Sequence, residues 1–377
     1  MVQLPMVDLK KQFQSIKAEI DREMQEVLES AIFIGGPKVN AFREQLETYL
    51  QVKHVIPCAN GTDALQIAMM AIGLKPGDEV IVPAFTYVAT AEVIGLLGLT
   101  PVMTDVDPET FNITPELIEA AITPKTKAIV PVHLFGQCAD MEAIMALAAK
   151  HQLWVIEDNA QAIGADYKGN TVNGKSGTLG HIGCTSFFPS KNLGCYGDGG
   201  AITTNDDDLA YACRMIANHG QSKQYYHDMI GVNSRLDAMQ AGVLNVKLPH
   251  LDRYNAARQR AAEYYDQHLG QLPQLLPPGR SVQSTHVFHQ YTLRLNVPNP
   301  REVREALKAH LQNLGIPMMV YYPVPLYDQP AFNSYWKGGT LPVTEQLCAT
   351  VFSLPMHSEL DEDQLKYICE GVRTFFK

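Results

Sequence analysis

The sequence is short of the features that mark several large classes of protein. Its 377 residues include seven cysteines, an odd number with no C-x-x-C pair. That argues against a disulfide framework and against a zinc site, so the thiols read as reduced and mostly structural. No apolar run reaches the ~20 residues of a membrane span; the longest candidate, VATAEVIGLLGLTPVM, is broken by Glu92 and Pro101. At the start, MVQLPMVDLKKQF reaches Asp8 before a signal-peptide apolar core forms, which points to a cytoplasmic chain with no membrane insertion. Positive charge is scarce: the formal net charge is −10 and no basic block occurs. A nucleic-acid binder needs clustered Lys and Arg for phosphates, so that class is disfavoured. An anionic small molecule stays open, given local cations or helix N-termini. Nor is there a G-x-G-x-x-G turn for a nicotinamide dinucleotide; GDGGAI lacks the spacing and leads into a strand.

From about residue 53 to 218, short β-branched runs (HVIPCA, EVIVPA, PVMTDV, KAIVPV, LWVIED, CTSFF, GAITT) alternate with amphipathic stretches such as DALQIAMMAIGL and DMEAIMALAAKH. This is the pattern of an α/β fold, a mostly parallel sheet between helices, with ligands outside the carboxyl ends of the strands. After about residue 234 the character changes. SRLDAMQAGVLNVKL and DRYNAARQRAAEYYDQHL read as helix interrupted by Pro249, and HQYTLRLNV and REVREALKAHLQNLG as strand and helix. The expected organisation is a large α/β domain over 31–250 and a smaller C-terminal α+β domain over 251–377, with residues 1–30 joining the small one.

Three strand ends offer chemistry. In CANGTDALQIAMM, an Asn-Gly-Thr turn leads from strand to helix, and such an N-terminus can hold a phosphate or simply be a cap. In VIEDNAQAIGA, a buried strand ends in Glu157 and Asp158; a carboxylate there needs a cation or hydrogen bonds, in a ligand site or a structural salt bridge. In PAFTYVATAE, Tyr87 follows a strand at the ligand edge, where its ring can stack on a planar group or belong to the core. The fourth feature is Lys191, set in TSFFPSKNLGCYGDGG among small and turn-forming residues. Taken alone it is a surface charge. Together the four describe the needs of pyridoxal 5'-phosphate: an amine for its aldehyde, an acid at its ring nitrogen, a phosphate cup and a flat surface. The acid keeps the nitrogen protonated, a charge-assisted bond of about 1.5–3 kcal/mol. On this reading small residues beside Lys191 leave space for cofactor and substrate.

The lysine segment SFFPSKNLGCYGDGGAI resembles that of the DegT/DnrJ/EryC1/StrS nucleotide-sugar aminotransferases, a group of the fold-type I pyridoxal-phosphate transferases. So, in order, do VDLKKQF, IGGPKVNAFREQLETYL, CANGTDALQIA, PGDEVIVPAFTYVATAE, VIEDNAQAIGA, GVNSRLDAMQA and YYPVPLYDQP. Within the family, CANGTDALQI, FTYVATAE, GQCAD and TSFFPSK are similar to the branch that aminates UDP-2-acetamido-2-deoxy-3-oxo-glucuronate for O-antigen assembly. The resemblance implies Lys191 as the lysine bonded to the cofactor and Asp158 against the ring nitrogen. It implies Gln161 near the ring oxygen and Tyr87 on the ring face. Gly61, Thr62 and Ser186 would hold the phosphate, with Asn233 reaching across from the partner of a homodimer with shared sites. Arg235 would meet a sugar carboxylate, and Tyr321 and Tyr322 would line the substrate site. Two positions depart from that branch: Tyr321, where histidine is expected, and Asn159, where alanine is. The implied reaction moves an amino group from L-glutamate to a keto-sugar nucleotide. A related branch that carries histidine in place of the lysine removes a sugar hydroxyl instead, and Lys191 sets this chain apart from it. A non-catalytic regulator is the reading of another class, and it predicts loss of Lys191 or Asp158. His286 and His289 form an H-x-x-H with no third ligand nearby, so no metal is expected.

Overall fold

Runs of Val, Ile and Ala with side chains buried on both faces build the centre of the molecule. The computed structural model describes residues 4–377. Seven strands form one sheet: β1 (His54–Cys58), β2 (Glu79–Pro83), β3 (Thr100–Thr104), β4 (Thr126–Ile129), β5 (Trp154–Asp158), β6 (Ile182–Ser186) and β7 (Gly200–Thr204). They lie in the order β1-β7-β6-β5-β4-β2-β3. β7 runs antiparallel to both neighbours and every other pair is parallel. Six strands therefore deliver their carboxyl ends to one edge.

The two-residue period of a strand explains the layers. Val80 and Val82 of β2 pack with Leu65 and Ile67 of the helix Gly61–Ala71 and with Ile94 of the helix Ala89–Leu96. Ile81, between them, packs on the opposite face with Ile129, Ile144 and Leu147, the last two from the helix Met141–His151. Each such side chain contributes about 1.5–3 kcal/mol of burial, so a one-residue slip of β2 would be costly.

A second sheet, β8 (Leu275–Leu276), β9 (Tyr291–Leu295) and β10 (Val351–Leu354), is antiparallel throughout. Leu293 and Phe352 on it pack against Leu307 and Ile368 of the helices Pro300–Asn313 and Glu362–Phe375. The helix Leu251–Leu269 joins the two bodies, with Leu251 in the core around Phe42 and Leu244 and with Tyr265 and Leu269 in the core of the second sheet. Near the N-terminus, Leu4 docks on the second core and its N–H donates to Gly315 O at 3.0 Å, whereas Ile20 of the helix Lys17–Ser30 packs with Leu244.

The helix expected over SRLDAMQAGVLNVKL begins only at Ala238 and ends at Lys247. Residues 234–237 stay extended because tertiary bonds hold them so. Ser234 N–H donates to Ala217 O at 2.9 Å, Ser234 Oγ accepts from Ala59 N–H at 3.0 Å, and Asp237 forms a bridge with Ile34. Pro249 sits in a single 3-10 turn before the next helix, as its missing N–H requires.

Candidate active site

The sheet register brings two strand ends together across a third. Cys58 of β1 and Ser186 of β6 both pair with Gly200 of β7. Beyond Cys58, the Asn60 side chain accepts from Asp63 N–H at 2.8 Å and starts the helix at Gly61. A Cβ on Gly61 would lie 2.7 Å from that of Ser186, so only glycine lets the two approach. Gly61, Thr62 and Ser186 thus form a pocket of small groups at a helix N-terminus, where free N–H groups and the helix dipole favour an anion. Ser186 Oγ accepts from Phe188 N–H at 3.3 Å, which leaves its own proton for a ligand.

At the end of β5 two adjacent carboxylates do different work. Glu157 is fully buried and saturated: it accepts from the N–H groups of Gly177, Leu179 and Gly180 at 2.8, 2.7 and 2.6 Å and meets His133 Nε2 at 2.8 Å. His133 Nδ1 accepts from Ala139 N–H at 3.2 Å, so the ring proton lies on Nε2 and is donated to Glu157. Glu157 is the structural carboxylate. Asp158 is 6% exposed and accepts once at each oxygen, from Thr90 Oγ1 at 2.8 Å and Ala160 N–H at 3.2 Å. Burial raises its pKa, opposed by the Thr90 and Ala160 bonds and by the charge of Lys191. It has spare lone pairs and no cation in contact, which suits a protonated ring nitrogen.

Lys191 lies in the loop between β6 and β7, its N–H bonded to Phe188 O at 2.8 Å. Burial pushes its amine down to about 8, against the attraction of Asp158. The loop is pinned throughout. Asn192 Nδ2 donates to Asn255 Oδ1 at 2.7 Å and Val287 O at 2.9 Å, and Lys247 Nζ donates to Gly194 O at 2.8 Å. Cys195 N–H donates to Phe187 O at 2.8 Å. The glycines here serve the chain itself more than a ligand. A Cβ on Gly194 would strike the Pro189 carbonyl, and one on Gly200 the Asn60 carbonyl.

Gln161 Oε1 accepts from Phe135 N–H at 2.8 Å and its Nε2 donates to Tyr322 OH at 3.1 Å. Burial raises the Tyr322 phenol, and the Tyr321 phenol moves the same way with Gln290 opposing. Tyr87 is 57% exposed, with its ring centroid 6.3 Å from that of Tyr322. Asn159 turns away from this group: its Nδ2 donates to Ser176 O at 3.1 Å. Asn233 and Arg235 lie exposed on the extended segment before the helix Ala238–Lys247. His286 stacks on Phe288 at 3.8 Å, and its Nδ1 accepts from Phe288 N–H at 3.1 Å. All seven cysteines are buried and unpaired. Among the described residues no helix is long and apolar enough to cross a membrane and no His/Cys/Asp/Glu group is arranged to hold a metal ion.

Two participants escape sequence reasoning. Thr90, four residues after Thr86 on the first turn of its helix, is the hydroxyl that orients Asp158. Ser234 holds the strand end at Ala59 and reads only as one more small residue in GVNSRLD.

The residues present fit pyridoxal phosphate: an amine of depressed pKa, a buried acid short of a cation and a small-residue cup at a helix N-terminus. Comparison with known proteins agrees. The UDP-2-acetamido-2-deoxy-3-oxo-D-glucuronate aminotransferase of Pseudomonas aeruginosa is 50% identical over 97% of this chain and 98% of its own. A "pleiotropic regulatory protein" of Geobacillus stearothermophilus is 49% identical over 99% of each. The crystal structure of DesV from S. venezuelae, in complex with a ketimine intermediate, superposes with a TM-score of 0.94 at 38% identity, over 100% of this chain and 99% of that one. The DegT/DnrJ/EryC1/StrS aminotransferase family profile matches residues 14–373. The chain belongs to that family, and it is a pyridoxal-phosphate-dependent aminotransferase of the α/β fold type those proteins share.

Proposed function

We propose that this aminotransferase moves the amino group of L-glutamate to a keto-sugar nucleotide, UDP-2-acetamido-2-deoxy-3-oxo-D-glucuronate, in the cytoplasm, for the O-antigen of a surface polysaccharide. The observation that carries the catalytic reading is the pair Lys191 and Asp158: an amine held near pKa 8 beside a buried acid that lacks a cation. The choice of sugar rests on the 50% identity to the Pseudomonas aeruginosa enzyme and on Arg235. Other keto-deoxysugars linked to dTDP, GDP or UDP, aminated at carbon 3 or 4, are the alternative substrates.

When bound, pyridoxal phosphate supplies an aldehyde that exchanges amines and a ring that withdraws electrons. The chain's own residues do the rest. Gly61, Thr62 and Ser186 receive the phosphate. Asp158, oriented by Thr90, stays anionic toward the ring nitrogen. Gln161 offers its amide at the ring oxygen, and Tyr87 covers one face. A lysine amine near pKa 8 can both take and return a proton at Nζ around neutrality, which suits Lys191 to shuttle protons between carbons.

The protein works as a homodimer in this reading. Asn233 and Arg235 lie beside an exposed apolar strip, Ile32–Ile34, joined to them through the Ile34–Asp237 bridge. A two-fold partner seated there would bury the strip and take up both polar side chains. Light scattering that finds an active monomer would overturn this.

A regulatory reading is supported by the 49% identity to a protein named for regulation. The intact Lys191 and Asp158 favour catalysis. The decisive experiment incubates purified protein with glutamate and a panel of keto-sugar nucleotides. Transfer to the uronate sugar, and a borohydride-fixed mass increment on Lys191, are expected. A colourless protein that cannot be trapped would overturn the assignment of Lys191.

A further inference from the structure

Lys247, at the last position of the helix Ala238–Lys247, is only 1% exposed, and no carboxylate pairs with it among the described residues. Burying an amine without a counter-ion is costly, and a methionine of similar length would fill the same space more cheaply. Its partners show what the amine does there. Nζ donates to Gly194 O at 2.8 Å and stands 4.3 Å from the centre of the Tyr196 ring. Both partners lie just after Lys191 in its own loop.

The same helix face grips that loop at two further points. Gln240, Leu244 and Lys247 stand at the i, i+4 and i+7 positions that share one side of a helix. Gln240 Oε1 accepts from Tyr196 N–H at 2.8 Å, and a Cβ on Gly197 would lie 2.9 Å from Gln240 Nε2. Leu244 shares a core with Phe187, Leu193 and Cys195.

From Gly194 the contacts run back to Lys191. A Cβ on Gly194 would lie 2.8 Å from Phe188 O, the carbonyl that accepts from Lys191 N–H. Cys195 N–H donates to Phe187 O at 2.8 Å and closes the base of the loop. Gly194, held at its own carbonyl by Lys247, is therefore packed against the peptide that sets the backbone of Lys191. Burial pushes the Lys247 amine down to about 8, opposed by the Cys195 thiol. Charged or neutral, the amine keeps an N–H to donate to Gly194.

We infer that Lys247 and Gln240 are positioning residues for the amino transfer: by donating to Gly194 O and accepting from Tyr196 N–H they tie the Lys191 loop to one rigid helix, and so fix where the Lys191 amine can reach. Both act through the backbone of the loop. This deepens the catalytic reading and rests on Lys191 being the cofactor lysine.

The test compares wild type with Lys247→Met, which keeps the length of the side chain and removes the donor. In the holoenzyme, kcat is expected to fall about 10²-fold through misplacement of Lys191, with KM for the sugar unchanged. A second readout needs no turnover: hydrogen exchange of the full chain with the cofactor removed. There the amides of Lys191 and Cys195 are expected to exchange at least about tenfold faster, while those of the central sheet keep their wild-type rates. A wild-type kcat, or exchange that quickens equally over the sheet, would overturn the proposal, the latter because Lys247 would then serve only the core. Should Lys247→Met fail to fold, Gln240→Met decides. It is expected to quicken the same two amides and to lower kcat about tenfold, and a wild-type value of either overturns the proposal. Failure of the underlying reading looks different: borohydride then leaves no mass increment on Lys191 of the wild type.

Discussion

Glu157 and Asp158 are neighbours with the same chemistry, and their hydrogen bonds assign them opposite roles. Glu157 is spent on three backbone N–H groups and His133, so Glu157→Gln loses acceptor capacity in the core. It is expected to cost about 1–3 kcal/mol in urea unfolding and to leave the visible spectrum of the bound cofactor in place. Asp158→Asn keeps the shape and removes the charge. It is expected to weaken cofactor binding and slow the single-turnover reaction with glutamate by about 10²–10³-fold, with the unfolding midpoint of the apoenzyme little changed. Near-normal turnover in Asp158→Asn would make it a structural acid as well. Lys191 permits a test by linkage. Its pKa falls from the ordinary 10.5 to about 8 on folding, so between these values the unfolded chain binds more protons and stability rises with pH. Lys191→Met removes that dependence. The apoenzyme variant is expected to be more stable than wild type by about 1–3 kcal/mol at pH 7, the gap closing as pH passes from 8 to 10.5. A gap that stays constant with pH would show that the amine is not desolvated.

At the scale of elements, the site depends on how tightly the loop from Phe187 to Gly199 is folded. Gly194 has no room for a side chain because the Pro189 carbonyl occupies the place of its Cβ. Gly194→Ala is expected to cost about 1–3 kcal/mol of stability and to shift Lys191. Cofactor occupancy, read from the visible band, should fall further than the small loss of melting temperature explains; unchanged occupancy would show that the loop absorbs the strain elsewhere. That loop also shows what the sequence can and cannot reveal. Strands such as EVIVPA are legible because a sheet covered on both faces needs continuous apolar runs. Asp158 and Gly61 are legible because each lies where such a run ends, and Lys191 because it stands among small and turn-forming residues. The division of labour between Glu157 and Asp158 is hidden, because it depends on the 177–180 backbone folding back over one of them. Thr90 is hidden for the same reason: its partner, Asp158, is distant in the chain. The glycines stand out in the sequence, but their packing against Pro189 and Asn60 is not written in their spacing. The start of the helix at Ala238 is not legible because long-range bonds to Ala59, Ala217 and Ile34 override local propensity.

For the whole molecule, charge is the property that most constrains the substrate. A chain of net charge −10 repels a sugar nucleotide that carries both a diphosphate and a carboxylate, unless specific cations receive it. Arg235 is exposed in the single chain, where an ion pair would contribute little against water and salt. Its value changes if a second copy closes over the segment from Asn233 to Asp237. A guanidinium buried at that junction can meet a carboxylate through two parallel bonds, which a lysine cannot do. Arg235→Ala is therefore expected to raise KM for the uronate sugar at least about 30-fold while leaving its neutral 6-deoxy counterpart nearly unaffected. Arg235→Lys should recover only part of the loss. If the protein is such a dimer, dilution that dissociates it should abolish the discrimination together with activity, because the arginine then returns to water. If the wild type prefers the neutral sugar, or Arg235→Ala weakens both substrates equally, the carboxylate has no partner at Arg235. The aminotransferase chemistry at Lys191 would stand unchanged, and the substrate would be sought among the neutral keto-sugars.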